Sequence, residues 1–214
     1  GYNFGADLIY QISPALGIGL GVGYMRSSSD SLATFTEGEN SVDITAGGTL
    51  TAMPIRLGLF LTVPVGQKLD LTANAGAAYY LGLKLDAYQG LEFDVDDWMR
   101  MTLEGSERSG ADIGFHGSLG FEYELSPKIG FFVEAVGRYA KFKNFEMVTG
   151  ISEFAGGAPD TTEGRLYLVD ESFGDYDVTG FTIVEEGDIP DPDYREPKID
   201  LSGFSLQAGF RIRF

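Results

Sequence analysis

The sequence predicts an all-β fold, namely an antiparallel, up-and-down transmembrane β-barrel formed by residues 1–214 as one domain. The first observation is the C-terminal segment, where Phe210 and Phe214 share one face and Arg211 and Arg213 share the other. A side-chain period of two, with charge on one face only, indicates a strand between two different solvents. The other two observations are the recurrence of this pattern along the chain and the regular order of its connections.

Seven segments carry the alternation, and each has about ten residues or more, the length of a tilted strand that crosses a bilayer. In chain order, they are residues 2–12, 16–26, 53–63, 69–85, 111–125, 129–143 and 205–214. Their outward apolar sets include Leu8 and Tyr10, then Leu20 and Tyr24, Ile55 and Leu57, Leu71 and Tyr79, Phe115 and Leu119, Phe131 and Val133, and finally Leu206 and Phe210. Aromatic residues lie near both ends of these sets with aliphatic residues between them, as membrane interfaces favour.

The connections alternate between short proline-containing turns and long polar segments. The long segments, 28–49, 86–110 and 146–198, are predicted to be extracellular loops, because outer-membrane barrels have short periplasmic turns and longer loops outside. Within the third loop, the alternation in 164–186 predicts a β-hairpin that projects above the membrane, with wall strands as the alternative. Seven is an odd number, whereas single-chain bacterial barrels have even numbers of strands. We therefore expect the eight-stranded type with seven strands visible and the N-terminal strand missing.

The inward face is predicted to form a charge network that fills the lumen, since an eight-stranded interior is about as wide as its own side chains. Its members are Asp7, Arg56, Asp70, Lys84, Asp112, His116, Glu122, Glu124, Glu134, Arg138, Arg211 and Arg213. Buried charges are costly when isolated, so they should pair. We expect Asp7 to reach Arg56 across a glycine-lined strand, and Arg211 to reach Glu134 or another carboxylate. A narrow ion path is the alternative to a sealed lumen.

Acidic residues are concentrated in the three predicted loops, which hold 25 of the 32 Asp and Glu residues but 5 of the 15 Lys and Arg residues. This charge argues against nucleic acid as a partner, because phosphate binding needs the opposite sign. Solvated charge is the simplest interpretation, and a weak divalent site at Asp188, Asp191 and Asp193 is the alternative. Trp98, Met99 and Met101 form either a partner contact or a packing contact between loops.

The final segment, 199–214, and the turn Leu125-Ser126-Pro127-Lys128 resemble the closing strand and periplasmic turns of small outer-membrane β-barrel proteins of the OmpA/OmpX type. The resemblance implies a location in the outer membrane of a Gram-negative bacterium, with the lipid bilayer and lipopolysaccharide as partners. It also implies that Phe210, Ile212 and Phe214 form the signal recognised by the barrel-assembly machinery.

The sequence contains no cysteine and no catalytic motif that fits this orientation, so no enzyme activity and no cofactor are expected. His116 and Ser118 have the spacing of a deacylase pair, but alternation turns both side chains away from lipid. The leading hypothesis is an integral barrel with a structural or surface-interaction role, whose acidic loops meet an extracellular or outer-membrane protein. A small-solute pore is the second hypothesis, and a soluble lipocalin-like carrier with its apolar face inward is the third.

Overall fold

The computed structural model describes residues 1–37, 40–94, 97–107, 112–143, 145, 147–173 and 176–213. Within these ranges, all regular secondary structure is β. The same ranges contain no helix with the length and hydropathy needed to cross a membrane.

Thirteen strands are present in the described part of the chain. They are β1 (Tyr2–Gln11), β2 (Leu16–Glu37), β3 (Asn40–Pro64), β4 (Leu69–Asp94), β5 (Asp97–Glu107), β6 (Asp112–Ser126), β7 (Ile129–Tyr139), β8 (Lys141–Phe142), β9 (Met147–Phe154), β10 (Asp160–Phe173), β11 (Tyr176–Glu185), β12 (Ile199–Asp200) and β13 (Gly203–Ile212).

Seven of these strands form a continuous antiparallel wall in the order β1-β2-β3-β4-β6-β7-β13. They are the seven segments with alternating side chains, so the predicted all-β, antiparallel architecture is confirmed. The apolar side chains of the wall point outward, since Leu57, Leu119 and Phe210 remain 55%, 59% and 67% exposed. Arg56 and Arg211 lie on the other face, with side chains 23% and 19% exposed. The carrier hypothesis required the reverse arrangement and is therefore wrong.

Among the described residues, β1 pairs with β2 alone and β13 pairs with β7 alone, so the wall is an open sheet. Both edge strands run in the same direction, from the long connections toward the short turns. A strand that runs opposite to both would close the wall. An eighth strand of this kind stays a prediction.

The long connections differ from the expected loops, because much of their length is strand. Past the wall, β2, β3 and β4 continue as an antiparallel sheet. Over their full lengths, these strands have 22, 25 and 26 residues. This sheet continues through β5, β9, β10 and β11. We call it the extension. The hairpin predicted within 164–186 is present as β10 and β11, which pair from Gly164–Glu185 to Phe173–Tyr176 and lie outside the wall.

A β-bulge separates the wall part of β4 from its extension part. Met53 pairs with Leu81, but Thr51 pairs with Lys84, so β4 holds one residue more than β3 between these pairs. Gly82 supplies the bend with a φ of 56°, a conformation that glycine adopts without the steric cost of a side chain. One extra residue exchanges the two faces of a strand.

The bulge corrects the prediction for Lys84. Leu83 is 4% exposed and packs with Leu85 in the core, so Lys84 between them lies on the outward face. Its side chain is 45% exposed and lies 3.2 Å from Asp86. Lys84 is therefore not part of the lumen network.

A compact apolar core lies where the wall meets the extension. Ala140, Phe142 and Phe145 are at most 1% exposed. The remaining buried members of the cluster are Met25, Ala52, Ala78, Tyr80, Leu83, Leu103, Val148 and Leu166. The short β8–β12 pair places Phe142 opposite Ile199 and holds the segment after β7 in this position. The core therefore covers the long-connection end of the wall.

Candidate functional site

The lumen holds the candidate site, and its first feature is a pair between nonadjacent strands. The Arg56 guanidinium on β3 donates to the Asp7 carboxylate on β1 at 3.1 Å, so the pair spans β2. Gly21 on β2 lies under this contact, and a Cβ at that position would overlap the Asp7 carboxylate. The glycine-lined face of β2 thus leaves the space that the ion pair occupies.

Glu122 is the centre of a second group near the short-turn end of the wall. Its side chain is fully buried and accepts hydrogen bonds from Arg211 and from Arg213, the latter at 2.5 Å. The Arg213 guanidinium also lies 3.7 Å from Asp70 and 4.0 Å from Glu124. Two cations around one buried carboxylate satisfy its charge and its oxygen atoms together.

Glu134 is satisfied by neutral side chains instead of by Arg211. Ser118 donates to its carboxylate at 2.6 Å, Asn74 donates to the Ser118 hydroxyl at 2.5 Å, and Gln207 donates to the second Glu134 oxygen. The three neutral groups were outside the predicted network, although their alternation already placed them inward. Charge alone does not identify the members of a lumen network, because hydroxyls and amides can satisfy a buried carboxylate.

The remaining lumen residues include both fixed and unpartnered groups. The Arg138 Nε donates to the Leu201 carbonyl at 3.1 Å, which ties the wall to the segment that enters β13. Arg138 pairs in register with His116, whose Nδ1 is buried and has no hydrogen-bond partner among the described residues. Ser118 donates to Glu134, so its hydroxyl is not oriented by His116 as a hydrolase would require. The predicted Asp112 side chain lies outside the described residues.

A cavity of about 70 Å³ lies between these groups. Its lining includes Asp7, Arg56, His116, Glu134 and Arg138. Such a volume holds a few water molecules but not a larger solute.

The apolar core forms the boundary of this cavity toward the extension. Tyr80 lines the cavity and packs edge-on against Phe142, with ring centroids 5.1 Å apart. Phe145 behind it is completely buried, and its carbonyl accepts a hydrogen bond from the Leu166 amide on β10 at 3.1 Å. The predicted polar lumen thus has an apolar layer above it that the sequence pattern did not indicate.

The structure does not assemble the divalent site expected at Asp188, Asp191 and Asp193. Among the described residues, no three His, Cys, Asp or Glu side chains form a group able to hold a metal ion. Asp191 instead accepts a hydrogen bond from the Asp193 amide at 3.0 Å and shapes the turn.

The remaining predicted surface residues lie in two places, the final strand and β5. In the final strand, Phe210 and Ile212 are 67% and 60% exposed on the outward face, and Phe214 lies outside the described residues. Trp98 and Met99 on β5 are 37% and 46% exposed. Met99 pairs in register with Phe154 of β9, and both side chains are exposed.

Comparison with known proteins supports the interpretation of the wall. Residues 1–184 match the family model described as outer membrane protein beta-barrel domain. The match includes six of the seven wall strands and ends before β13, which pairs with β7 along ten residues. No curated protein and no solved structure matches the chain. The family model covers well over half of the sequence, and the chain therefore belongs to the outer membrane protein beta-barrel domain family and is located in the bacterial outer membrane.

Proposed function

We propose that this protein is a non-conducting, non-enzymatic outer-membrane barrel that presents its extension outside the cell as a contact surface. The proposal that the barrel does not conduct ions rests on the apolar core above the lumen, where Phe142 and Phe145 are at most 1% exposed. Ions need a hydrated path, and a packed apolar layer excludes water. Below it, the cavity lined by Asp7, Arg56 and Glu134 has a volume of about 70 Å³.

The lengths of the strands support the proposal that the extension is presented outside the cell. A tilted strand crosses the membrane with about 9–11 residues, whereas β3 has 25. More than half of β3 therefore continues beyond the hydrocarbon. The extension also carries exposed apolar residues, including Trp98 and Phe154 at 37% and 49%. Exposed aromatic side chains on a folded surface favour contact with another macromolecule.

Planar-bilayer recording tests the closed lumen. We expect the protein to give no steady openings, and we expect a variant with Phe142→Ser and Phe145→Ser to leak because its apolar layer is broken. Steady nanosiemens-scale openings of the unchanged protein would overturn the proposal in favour of the small-solute pore.

Epitope insertion tests which end of the wall faces the outside. An epitope placed in the exposed turn at Gly156 and Gly157 should bind antibody on intact cells. The matched control carries the epitope in the turn at Ser126–Lys128, where antibody should bind only after the cells have been permeabilised. Labelling of the second site on intact cells would show that the extension is not the surface offered to partners.

A further inference from the structure

We propose that a group of outward cations at the long-connection end of the wall binds phosphate groups of the surrounding outer-leaflet lipid. The group consists of Arg26, Lys84, Lys141 and Lys143, and we call it the cationic rim. It includes the one lysine that the β4 bulge moves from the lumen face to the outward face. The inference depends on the membrane location of the wall and is independent of whether the lumen conducts.

The strand pattern places the rim on the outward face. On β2, Met25 is 8% exposed in the core, and Arg26 next to it is exposed. After β7, the buried Ala140 and Phe142 alternate with the exposed Lys141 and Lys143. The same alternation around Leu83 and Leu85 orients Lys84.

The rim lies just beyond the last aromatic and aliphatic residues of the lipid-facing surface. Arg26 follows Tyr24 by two positions, Lys84 follows Leu81 by three, and Lys141 follows Tyr139 by two. A strand rises about 3.3 Å per residue, so each cation stands roughly 7–10 Å past its apolar neighbour. Register pairs Arg26 with Thr51 and Thr51 with Lys84, so Arg26 and Lys84 lie two strands apart on one line of paired residues.

This level is where charged headgroups begin. Aromatic side chains mark the membrane interface, and lysine and arginine beyond them contact anionic lipid. Lys141 combines both features, because its Nζ lies 5.3 Å from the Tyr139 ring centroid while its side chain is 53% exposed. The position and the charge together favour a lipid phosphate over a neutral sugar.

Neighbouring carboxylates do not remove this capacity. Lys84 lies 3.2 Å from Asp86, and Lys141 lies 3.3 Å from Asp200, but all four side chains are 43–53% exposed. Exposed ion pairs are weak and exchange readily with other partners. Arg26 and Lys143 have no ion pair with any described residue. The rim is thus a cationic band beside an extension rich in acid.

The test measures binding of labelled lipopolysaccharide to the folded protein in zwitterionic nanodiscs. The rim variant carries Arg26→Gln, Lys84→Gln, Lys141→Gln and Lys143→Gln. The matched control carries Lys68→Gln and Lys128→Gln, which are exposed cations at the short-turn end. Each cation near an anionic surface contributes about fivefold, so the rim variant should lose affinity at least roughly tenfold and the control variant should not.

Three further binding measurements identify the bound group as a lipid phosphate. Dephosphorylated lipopolysaccharide should bind the unchanged protein as weakly as the intact lipid binds the rim variant. Millimolar inorganic phosphate should not displace the lipid, since the proposed occupant is a headgroup held at the membrane surface. A chelator should leave binding intact.

Several results would overturn the inference. Equal affinity of the rim variant and the unchanged protein removes the role of the rim, and equal loss in the control variant shows that net charge alone matters. Loss of binding with chelator assigns the phosphate contact to carboxylates bridged by divalent ions. Circular dichroism and heat-modifiable gel mobility establish that each variant compared is folded.

Discussion

The buried Glu122 carboxylate is predicted to be the most sensitive charged group of the lumen. Glu122→Gln keeps the size of the side chain but removes the negative charge that Arg211 and Arg213 share. Arg213 would retain Asp70 at 3.7 Å and Glu124 at 4.0 Å, both partly exposed. Arg211 would lose the carboxylate that it binds.

The magnitude follows from burial. Removing one partner of a buried ion pair costs about 3–5 kcal/mol. The Glu122 side chain is fully buried, but its two partners are 19% and 35% exposed, and water around them reduces the cost. We therefore expect the lower end of the range, about 3 kcal/mol of unfolding free energy.

The assay is reversible urea unfolding in detergent micelles or lipid vesicles, followed by far-ultraviolet circular dichroism, with the slope compared between variants. Glu124→Gln is the matched control, because Glu124 is on the same strand and faces the same group but is 39% exposed. Its loss should cost less than about 1 kcal/mol. If Glu122→Gln is no more destabilising than Glu124→Gln, the reasoning from burial is wrong.

Three other predictions follow from features of the extension and its junction with the wall. Phe142→Ala should cost about 3–5 kcal/mol in the same unfolding assay, because the ring is 1% exposed in the core; a cost below 1 kcal/mol would show that the core can collapse. Gly82→Ala should lower the free energy of unfolding by about 1–2 kcal/mol, because Gly82 has a φ of 56°. Gly203→Ala, where a Cβ meets open space, should be neutral. Equal effects of the two substitutions would contradict the role of backbone conformation. The hydroxyl of Thr179, with help from the Arg195 guanidinium, lowers the pKa of Asp170 below its ordinary 3.8. The carboxylate form therefore stabilises the hairpin above pH 3.8, and this stabilisation is lost as the pH falls through the lowered pKa. Carboxyl-carbon NMR should give a titration midpoint of Asp170 below 3.8, and the midpoint should rise in Thr179→Val. An unchanged midpoint in Thr179→Val would refute the role of the hydroxyl.

The wall was predictable because its signal is local. Each strand repeats a two-residue pattern, and outward residues such as Leu57 and Leu119 need no knowledge of their neighbours to be assigned to a face. The same pattern brought Asp7 and Arg56 to one face, and the small residues of β2 indicated the space between them. Strand order and register then place them 3.1 Å apart.

Lys84 and Arg211 illustrate what alternation cannot provide. Alternation assigned Lys84 to the lumen, but a single extra residue at the bulge exchanged the faces of β4. Arg211 was correctly placed inward, yet its partner is set by the three-dimensional arrangement of β6, β7 and β13. Sequence reasoning left the carboxylate open, and the structure pairs Arg211 with Glu122.

The extension was harder to predict than the wall. Its strands contain many acidic residues, which interrupt the apolar alternation, and their pairing joins distant segments such as β5 and β9. The buried ring of Phe145 lies outside any strand, so no periodicity marks it. Only its packing against residues from several strands identifies it as core.

The common direction of β1 and β13 imposes a topological demand on the membrane-embedded protein. Hydrocarbon offers no hydrogen bonds to a free strand margin, and each unmet amide or carbonyl there costs several kcal/mol. Two margins with the same polarity cannot zip together as an antiparallel seam. Antiparallel closure of the barrel in lipid would therefore need a strand of opposite direction that hydrogen-bonds to both edges at once.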